Sequence, residues 1–321
     1  MRSFYAIREQ RLLLAGPGTL PAGEIAWIDL LNPTPEEEAE IERLLGIDIP
    51  TREEMAEIEI SSRLYRENNA LYMTASILVG GDGPDPQAAP VTFILSRDRL
   101  VTVRYSEPSI FATFVRQVEK VDSNLRNADS VLVGLLEAII DRTADILEKA
   151  ASEVDLVSRN VLQNEVEASS VTADYKSVLR RIARNGDLNS KIRESLVSIG
   201  RVLNFLGAEC GEEHPGLREH TGTMAADIRS LTDHASYVAG KTGFLLDATL
   251  GLINIEQNAI IKIVSVVSVL IMPPTLIASI YGMNFRFMPE LNWVFGYPAA
   301  LAAMLLAAIL PFWYFKRRGW L

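Results

Sequence analysis

The chain has 321 residues, 48% of them hydrophobic, with 41 acidic against 31 basic side chains and a formal net charge of −10 at pH 7. A chain this acidic is disfavoured as a partner for nucleic acid and suits cations. Its single cysteine, Cys210, excludes an intramolecular disulfide framework and fits a reducing compartment.

Taken in chain order, the opening MRSFYAIREQRLLLAGPG scatters charges among its apolar residues and has no continuous h-region, so it does not read as a signal peptide. The long N-terminal part is therefore expected in the cytoplasm. EIAWIDL (Glu24 to Leu30) reads as a buried strand. NPTPEEEAEIERLLG then reads as a helix, with Thr34 as N-cap, Pro35 at the first helical position and Gly46 as the stop. ALYMTASIL (Ala70 to Leu78) reads as a strand, and VTFILSRDRLVTVRY (Val91 to Tyr105) as a hairpin turning at Arg97-Asp98. GGDGPDPQAAP between them is loop by its glycine and proline content.

From about Ser109 to Leu206 apolar residues recur three and four apart with charges on the other face and no proline, the pattern of long helices. GAECGEEHPG breaks it. Helical periodicity resumes near Leu217 and meets no strong stop before Tyr281-Gly282, which gives a helix of about 65 residues, on the order of 95 Å long. Neither Ile263 to Phe285 nor Leu291 to Phe315 contains a charged residue, and each exceeds the roughly 20 apolar residues that cross a bilayer. Lys262 before the first run and Lys316, Arg317 and Arg318 after the second place both flanks inside by the positive-inside rule. The loop between the spans then faces outward.

Counting by threes and fours back from Ser279 gives Thr275, Met272, Ser268, Ser265, Ile261, Asn258, Asn254, Gly251 and Asp247, an a/d seam that is mostly small or polar. Val264, Val267, Leu270, Ile271 and Leu276 lie off it. In a bilayer such a stripe must face protein or water. Two readings stay open: close helix packing through small residues, or the lining of a water-filled path made by several copies of the helix. Thr275, Ser268 and Ser265 would offer hydroxyls to a hydrated ion, while Met272, Val264 and Ile261 would form apolar constrictions. Asn258 and Asp247 would mark the cytoplasmic mouth. Pro273 and Pro274 each remove a backbone donor and bend or loosen the helix.

The segment NIEQNAIIKIVSVVSVLIMPPTLIASIYGMNFRFMPELNWVFGYP resembles the CorA family of magnesium transporters, whose signature is a Gly-Met-Asn after the first of two C-terminal spans. Here it is Gly282, Met283 and Asn284. Met288 to Leu291 (Met-Pro-Glu-Leu), Gly296 to Pro298 (Gly-Tyr-Pro), the Pro273-Pro274 pair and the basic tail ending in Trp320-Leu321 extend the likeness, and WIDLLNPTPEEEAEIERLLG carries it to the N-terminal part. Magnesium prefers octahedral oxygen ligands and keeps its waters, so a neutral ring of Asn284 amides and loop carbonyls could hold the hydrated ion and release it. Gly282 is expected to let the chain turn tightly off the helix end.

The resemblance implies an α+β cytosolic domain, a long α-helical stalk and two C-terminal transmembrane helices in a funnel-shaped homo-oligomer, a pentamer in the family. The expected boundaries are a cytosolic α/β domain over 1–107, a cytosolic helical hairpin region over 108–206, a stalk helix over 217–281 entering the membrane at about 260, an external loop over 282–292, a second transmembrane helix over 293–315 and a basic cytosolic tail over 316–321. The implied function is magnesium uptake across the cell inner membrane, extending to cobalt and nickel, with both termini cytoplasmic. Magnesium bound between subunits would close the path, with Asp227, Asp233 and Asp247 as the candidate carboxylates. No organic cofactor is expected.

The alternatives are a zinc transporter of the same superfamily and a membrane-anchored sensor or scaffold without flux. His214, His220 and His234 form no metal-ligand or triad pattern and no glycine loop cradles phosphate, so no enzyme is expected. One residue departs from the family: Arg286 stands where Glu is common after Gly-Met-Asn-Phe, and it would oppose cation accumulation unless paired with Glu290.

Overall fold

The computed structural model describes residues 1–8, 11–15, 25–96, 98–120, 125–163, 175–209, 215–284, 286 and 288–320. It divides into two compact units, Met1–Leu246 and Asp247–Leu321.

The first unit is built on a mixed sheet of seven strands: β1 (Arg2–Arg8), β2 (Arg11–Ala15), β3 (Ile25–Leu31), β4 (Leu64–Glu67), β5 (Ala70–Val79), β6 (Gln87–Leu95) and β7 (Leu100–Arg104), in the order β2-β1-β3-β7-β6-β5-β4. Only β3 and β7 pair in parallel, Asp29 opposite Thr102. The strands predicted from Glu24, Ala70 and Val91 correspond to β3, β5 and the antiparallel β6/β7 pair, in which Leu95 faces Leu100, but β6 begins at Gln87: Gln87 to Pro90, expected as loop, pair with β5. Arg97, half of the expected turn, lies outside the described residues. The edge strands β2 and β4, and β1 beside β2, are additions to the sequence reading.

The helix predicted after Asn32 is α1 (Pro35–Leu45). Thr34 and Glu37 form a reciprocal capping box and Gly46 ends the helix at φ 65°, a left-handed cap that glycine adopts at no steric cost. Two single-turn helices follow, α2 (Arg52–Met55) and α3 (Ile60–Arg63). On this side Ile41 and Met55 seal Ile28, Leu30, Tyr72, Ile94, Val101 and Val103 into one core cluster. Fully burying such a side chain stabilises the fold by about 1.5–3 kcal/mol.

Trp27, Phe93 and Phe111 are also fully buried, and three helices accompany the sheet: α4 (Ser109–Lys120), α5 (Ala128–Gln163) and α6 (Tyr175–Glu209). Beneath α4, Arg104 Nη2 donates to Asp29 Oδ2 at 2.7 Å and Arg104 Nε to Oδ1 at 3.0 Å. Thr102 Oγ1 donates to Asp29 Oδ1 at 2.7 Å and accepts from Trp27 Nε1 at 3.0 Å, while the guanidinium lies 4.6 Å from the Phe111 ring centre. The network ties β3, β7 and α4 with a fully paired buried ion pair. The loop after β5 is held by Asp82, which pairs with Arg142 and with Lys149 at 3.0 Å, and by Arg184 donating to the Gly83 carbonyl at 2.7 Å. The Lys149 hydrogen bond leads the effects that keep the Asp82 carboxyl below its ordinary range.

The next helix, α7 (Pro215–Tyr281), has 67 residues. The polar break predicted over Gly207 to Gly216 is shorter in the structure: α6 runs to Glu209 and α7 starts at Pro215, a residue well suited to a first helical turn. Cys210 and His214 lie outside the described residues. Within the first unit Leu217, Thr221, Met224, Ile228, Ala235, Val238, Thr242 and Leu245 are buried, a strict three-four alternation once half-buried Leu231 is included. Asn189 of α6, 2% exposed, donates from Nδ2 to the Ala235 carbonyl at 2.9 Å and so fixes the register of the two helices.

The second unit holds the rest of α7, a 3-10 turn (Pro289–Asn292) and α8 (Gly296–Arg317). Two helices are long and apolar enough to cross a membrane, α7 through its C-terminal part and α8, and their apolar windows are only 6% and 0% buried. Val266 is buried and Leu270, Pro273 and Ile277 are half-buried on α7, while Ala300, Met304, Ala307 and Pro311 are half-buried on α8.

Candidate ion path and signature loop

Val266, Leu270, Pro273 and Ile277 continue the three-four alternation of the buried positions on the first part of α7. The predicted seam occupies the opposite positions of the heptad. Asp247, Gly251, Asn254, Asn258, Ile261, Ser268, Met272, Thr275 and Ser279 are all exposed, and Ser265 is half-buried. Val264, off the strict seam, is also exposed, at 58%. Ser268, Met272, Thr275 and Ser279 line one shallow groove with Val267, Ile271 and Leu276.

Two of the hydroxyls of this groove have a fixed polarity. Ser268 Oγ donates to the Val264 carbonyl and Thr275 Oγ1 to the Ile271 carbonyl, each at 2.8 Å. With the proton committed to the helix, each oxygen presents acceptor lone pairs outward. Water bound to a cation points its hydrogens away from the metal, so acceptors are what a hydrated cation requires of a wall. Both prolines are helical, and lacking N–H groups they leave the carbonyls of Val269 and Leu270 without their usual donors.

At the end of α7, Gly282 N donates to Ala278 O at 2.9 Å and Met283 N to Ile280 O at 3.3 Å. Gly282, Met283 and Asn284 are exposed. The negative end of the helix dipole is directed at this loop, which favours a cation there. The chain leaves the helix at Gly282 without a left-handed residue there: the positive-φ glycines of the described residues are Gly46, Gly80 and Gly319. Glycine is favoured at 282 for space, because a Cβ there would lie 3.2 Å from the Ala278 carbonyl oxygen, closer than an ordinary contact. Arg286 is exposed, and its suggested pairing with Glu290 falls outside the described side chains.

The three candidate carboxylates are not brought together. Asp227, Asp233 and Asp247 are exposed on separate turns of α7, and among the described residues no group of three or more His, Cys, Asp or Glu is placed to hold a metal ion. Asp227 does act across to α5: burial first, then the charges of Asp145 and Asp227, push the Asp141 carboxyl above its ordinary range. His234 stacks on Tyr237 at 6.1 Å. Carrying the seam count past Asp247 gives Phe244, Gly240, Tyr237 and Asp233, and Phe244 and Tyr237 are 59% and 63% exposed. The same arithmetic extends the seam to these aromatics, which the sequence reading left out by stopping at Asp247.

An α+β domain continued by one long helix, with a second apolar helix after a glycine-asparagine loop and both long and apolar enough to cross a membrane, defines a two-span membrane protein. The family model described as CorA-like Mg2+ transporter protein matches residues 22–317, and the chain belongs to that family. It is 35% identical over 322 aligned positions to the magnesium transport protein CorA of Escherichia coli K12, covering 100% of both chains. Its fold matches that of the CorA magnesium transporter of Methanocaldococcus jannaschii with a TM-score of 0.78 at 19% identity, over 100% of this chain and 99% of that one. The ZntB cytoplasmic domain of Vibrio parahaemolyticus matches at a TM-score of 0.56 and 10% identity, over 78% of this chain and 97% of that one, a likeness of fold. Membership places the chain among transporters rather than enzymes.

Proposed function

We propose that the chain forms a homo-oligomeric, channel-like path for magnesium across the cell inner membrane, with both termini in the cytoplasm. The observation that carries this reading is the exposed seam of α7, where Asn258, Ser265, Ser268, Thr275 and Ser279 lead to Asn284. One copy supplies one wall, and several copies around an axis enclose the path. Asn284 amide oxygens, with Gly282 and Met283 shaping the loop, accept hydrogen bonds from the ion's waters without stripping them. Ile261, Val264 and Met272 form the apolar constrictions between polar rings. The relative with 35% identity over its full length is a magnesium transport protein, which supports this ion ahead of the others.

Cytosolic magnesium bound between copies closes the path in this reading. Of the three carboxylates, Asp227 is the best supported, because its charge is among those that oppose ionisation of Asp141 on α5 and a divalent cation there would relieve that repulsion. Asp247 and Asp233 lie on the seam itself, at its cytoplasmic mouth.

The test is magnesium influx into proteoliposomes containing the purified chain, with cobalt, nickel and zinc assayed in parallel. Influx abolished in Asn284→Ala is the expected result. Zinc flux without magnesium flux would transfer the chain to the zinc-transporting branch, and no flux of any ion at low internal magnesium would leave a sensor or scaffold.

A further inference from the structure

The residues that follow the second apolar helix are folded back on it. Gly319 takes φ 70° and donates to the Lys316 carbonyl at 3.2 Å, and Trp320 N donates to the Phe315 carbonyl at 3.1 Å. This turn stacks Trp320 on Phe315 with ring centres 5.3 Å apart. One turn earlier, the Arg317 guanidinium lies 5.2 Å from the Trp313 ring centre and the Arg318 guanidinium 5.6 Å from that of Tyr314. Trp313, Tyr314, Trp320 and all three cations are exposed, and Arg317 and Arg318 form no ion pair with a carboxylate among the described residues.

Aromatic rings with one polar edge settle at the level of lipid headgroups. Arginine above such a ring is held there at little further entropic cost, and its planar, weakly hydrated guanidinium matches a phosphodiester oxygen pair. The back-folded Trp320 returns an indole to that level instead of letting it leave the membrane. The three adjacent charges sit where the surface potential of an anionic leaflet is strongest. The ion path uses none of these residues.

We infer that Trp313, Tyr314, Lys316, Arg317, Arg318 and Trp320 form a binding surface for anionic phospholipid headgroups of the inner leaflet. The inference rests on the reading that this flank faces the cytoplasm. The occupant is a lipid rather than free phosphate, because the rings beside the cations need an acyl boundary to enter.

The test uses the full chain with Trp293→Phe, so that Trp313 and Trp320 are the tryptophans beside the bilayer. Fluorescence quenching is compared in bilayers of dibrominated phosphatidylglycerol and dibrominated phosphatidylcholine. The expected result is a preference of roughly fivefold or more for phosphatidylglycerol at low ionic strength. It should fall toward one at high salt and in a variant combining Lys316→Gln, Arg317→Gln and Arg318→Gln. Equal quenching by the two lipids, or a preference the triple variant keeps, would overturn the site. Displacement by millimolar glycerol 3-phosphate would overturn the lipid as its occupant. Sidedness is read separately by labelling Leu321→Cys, in a Cys210→Ser background, with an impermeant maleimide in inverted vesicles. Labelling only from the opposite side would overturn the inner leaflet while leaving the lipid preference to stand on its own data.

Discussion

The hydroxyl of Thr275 donates to the carbonyl oxygen of Ile271 at 2.8 Å, so on the exposed side of α7 it can only accept. Thr275→Val keeps the shape and loses the acceptor, and Thr275→Ser keeps both. Hydrogen bonds that serve a charged partner are worth about 1.5–3 kcal/mol, so magnesium influx should fall roughly ten- to a hundredfold in Thr275→Val and stay near wild type in Thr275→Ser. Equal influx in all three would deny the hydroxyl any part in conduction.

Gly282 makes the second prediction. A methyl group at this position would approach the Ala278 carbonyl oxygen to 3.2 Å, the atom to which the Gly282 N–H also bonds. Gly282→Ala should therefore displace Asn284 and lower influx several-fold while leaving the melting of the first unit unchanged. Wild-type influx would mean that the loop tolerates the displacement.

Among the described residues, Arg104 and Asp29 pair only with each other as charges under α4. Arg104→Leu should cost about 3–5 kcal/mol, because it strands the buried carboxylate, whereas combining it with Asp29→Leu should recover much of the loss. Denaturant midpoints of the three chains measure this. A double variant no better than the single one would show that packing, and not charge, dominates.

Asp141 gives a pH signature. Its carboxyl sits above its ordinary range, chiefly through burial and then through Asp145 and Asp227, so its ionisation opposes the fold. The sign follows: its favourable contribution is complete below the unfolded-state value of about 3.9 and is lost as pH rises through the higher folded-state value. Asp141→Asn should raise the melting temperature at pH 7 and show no gain near pH 3.5. If Asp227 takes part in magnesium binding, the wild-type chain should gain more from added magnesium than Asp227→Asn does.

The sequence by itself determined the elements with strong local signals. Thr34, Pro35 and Gly46 bound α1 because caps are local hydrogen-bond chemistry, the two uncharged runs marked the spans because hydrocarbon excludes charge, and the seam from Asp247 to Ser279 was countable because a heptad is a one-dimensional pattern. Only the tertiary structure decided the rest. The strand β1 depends on β3 beside it in the sheet, and Asp29 and Arg104 are 75 residues apart until the parallel pairing of β3 with β7 joins them. The proximity of Asp227 to Asp141 is likewise set by which surfaces meet. Periodicity carries the direction of a side chain from its own helix, but which atom lies opposite is fixed by packing, and packing is not written in any one segment.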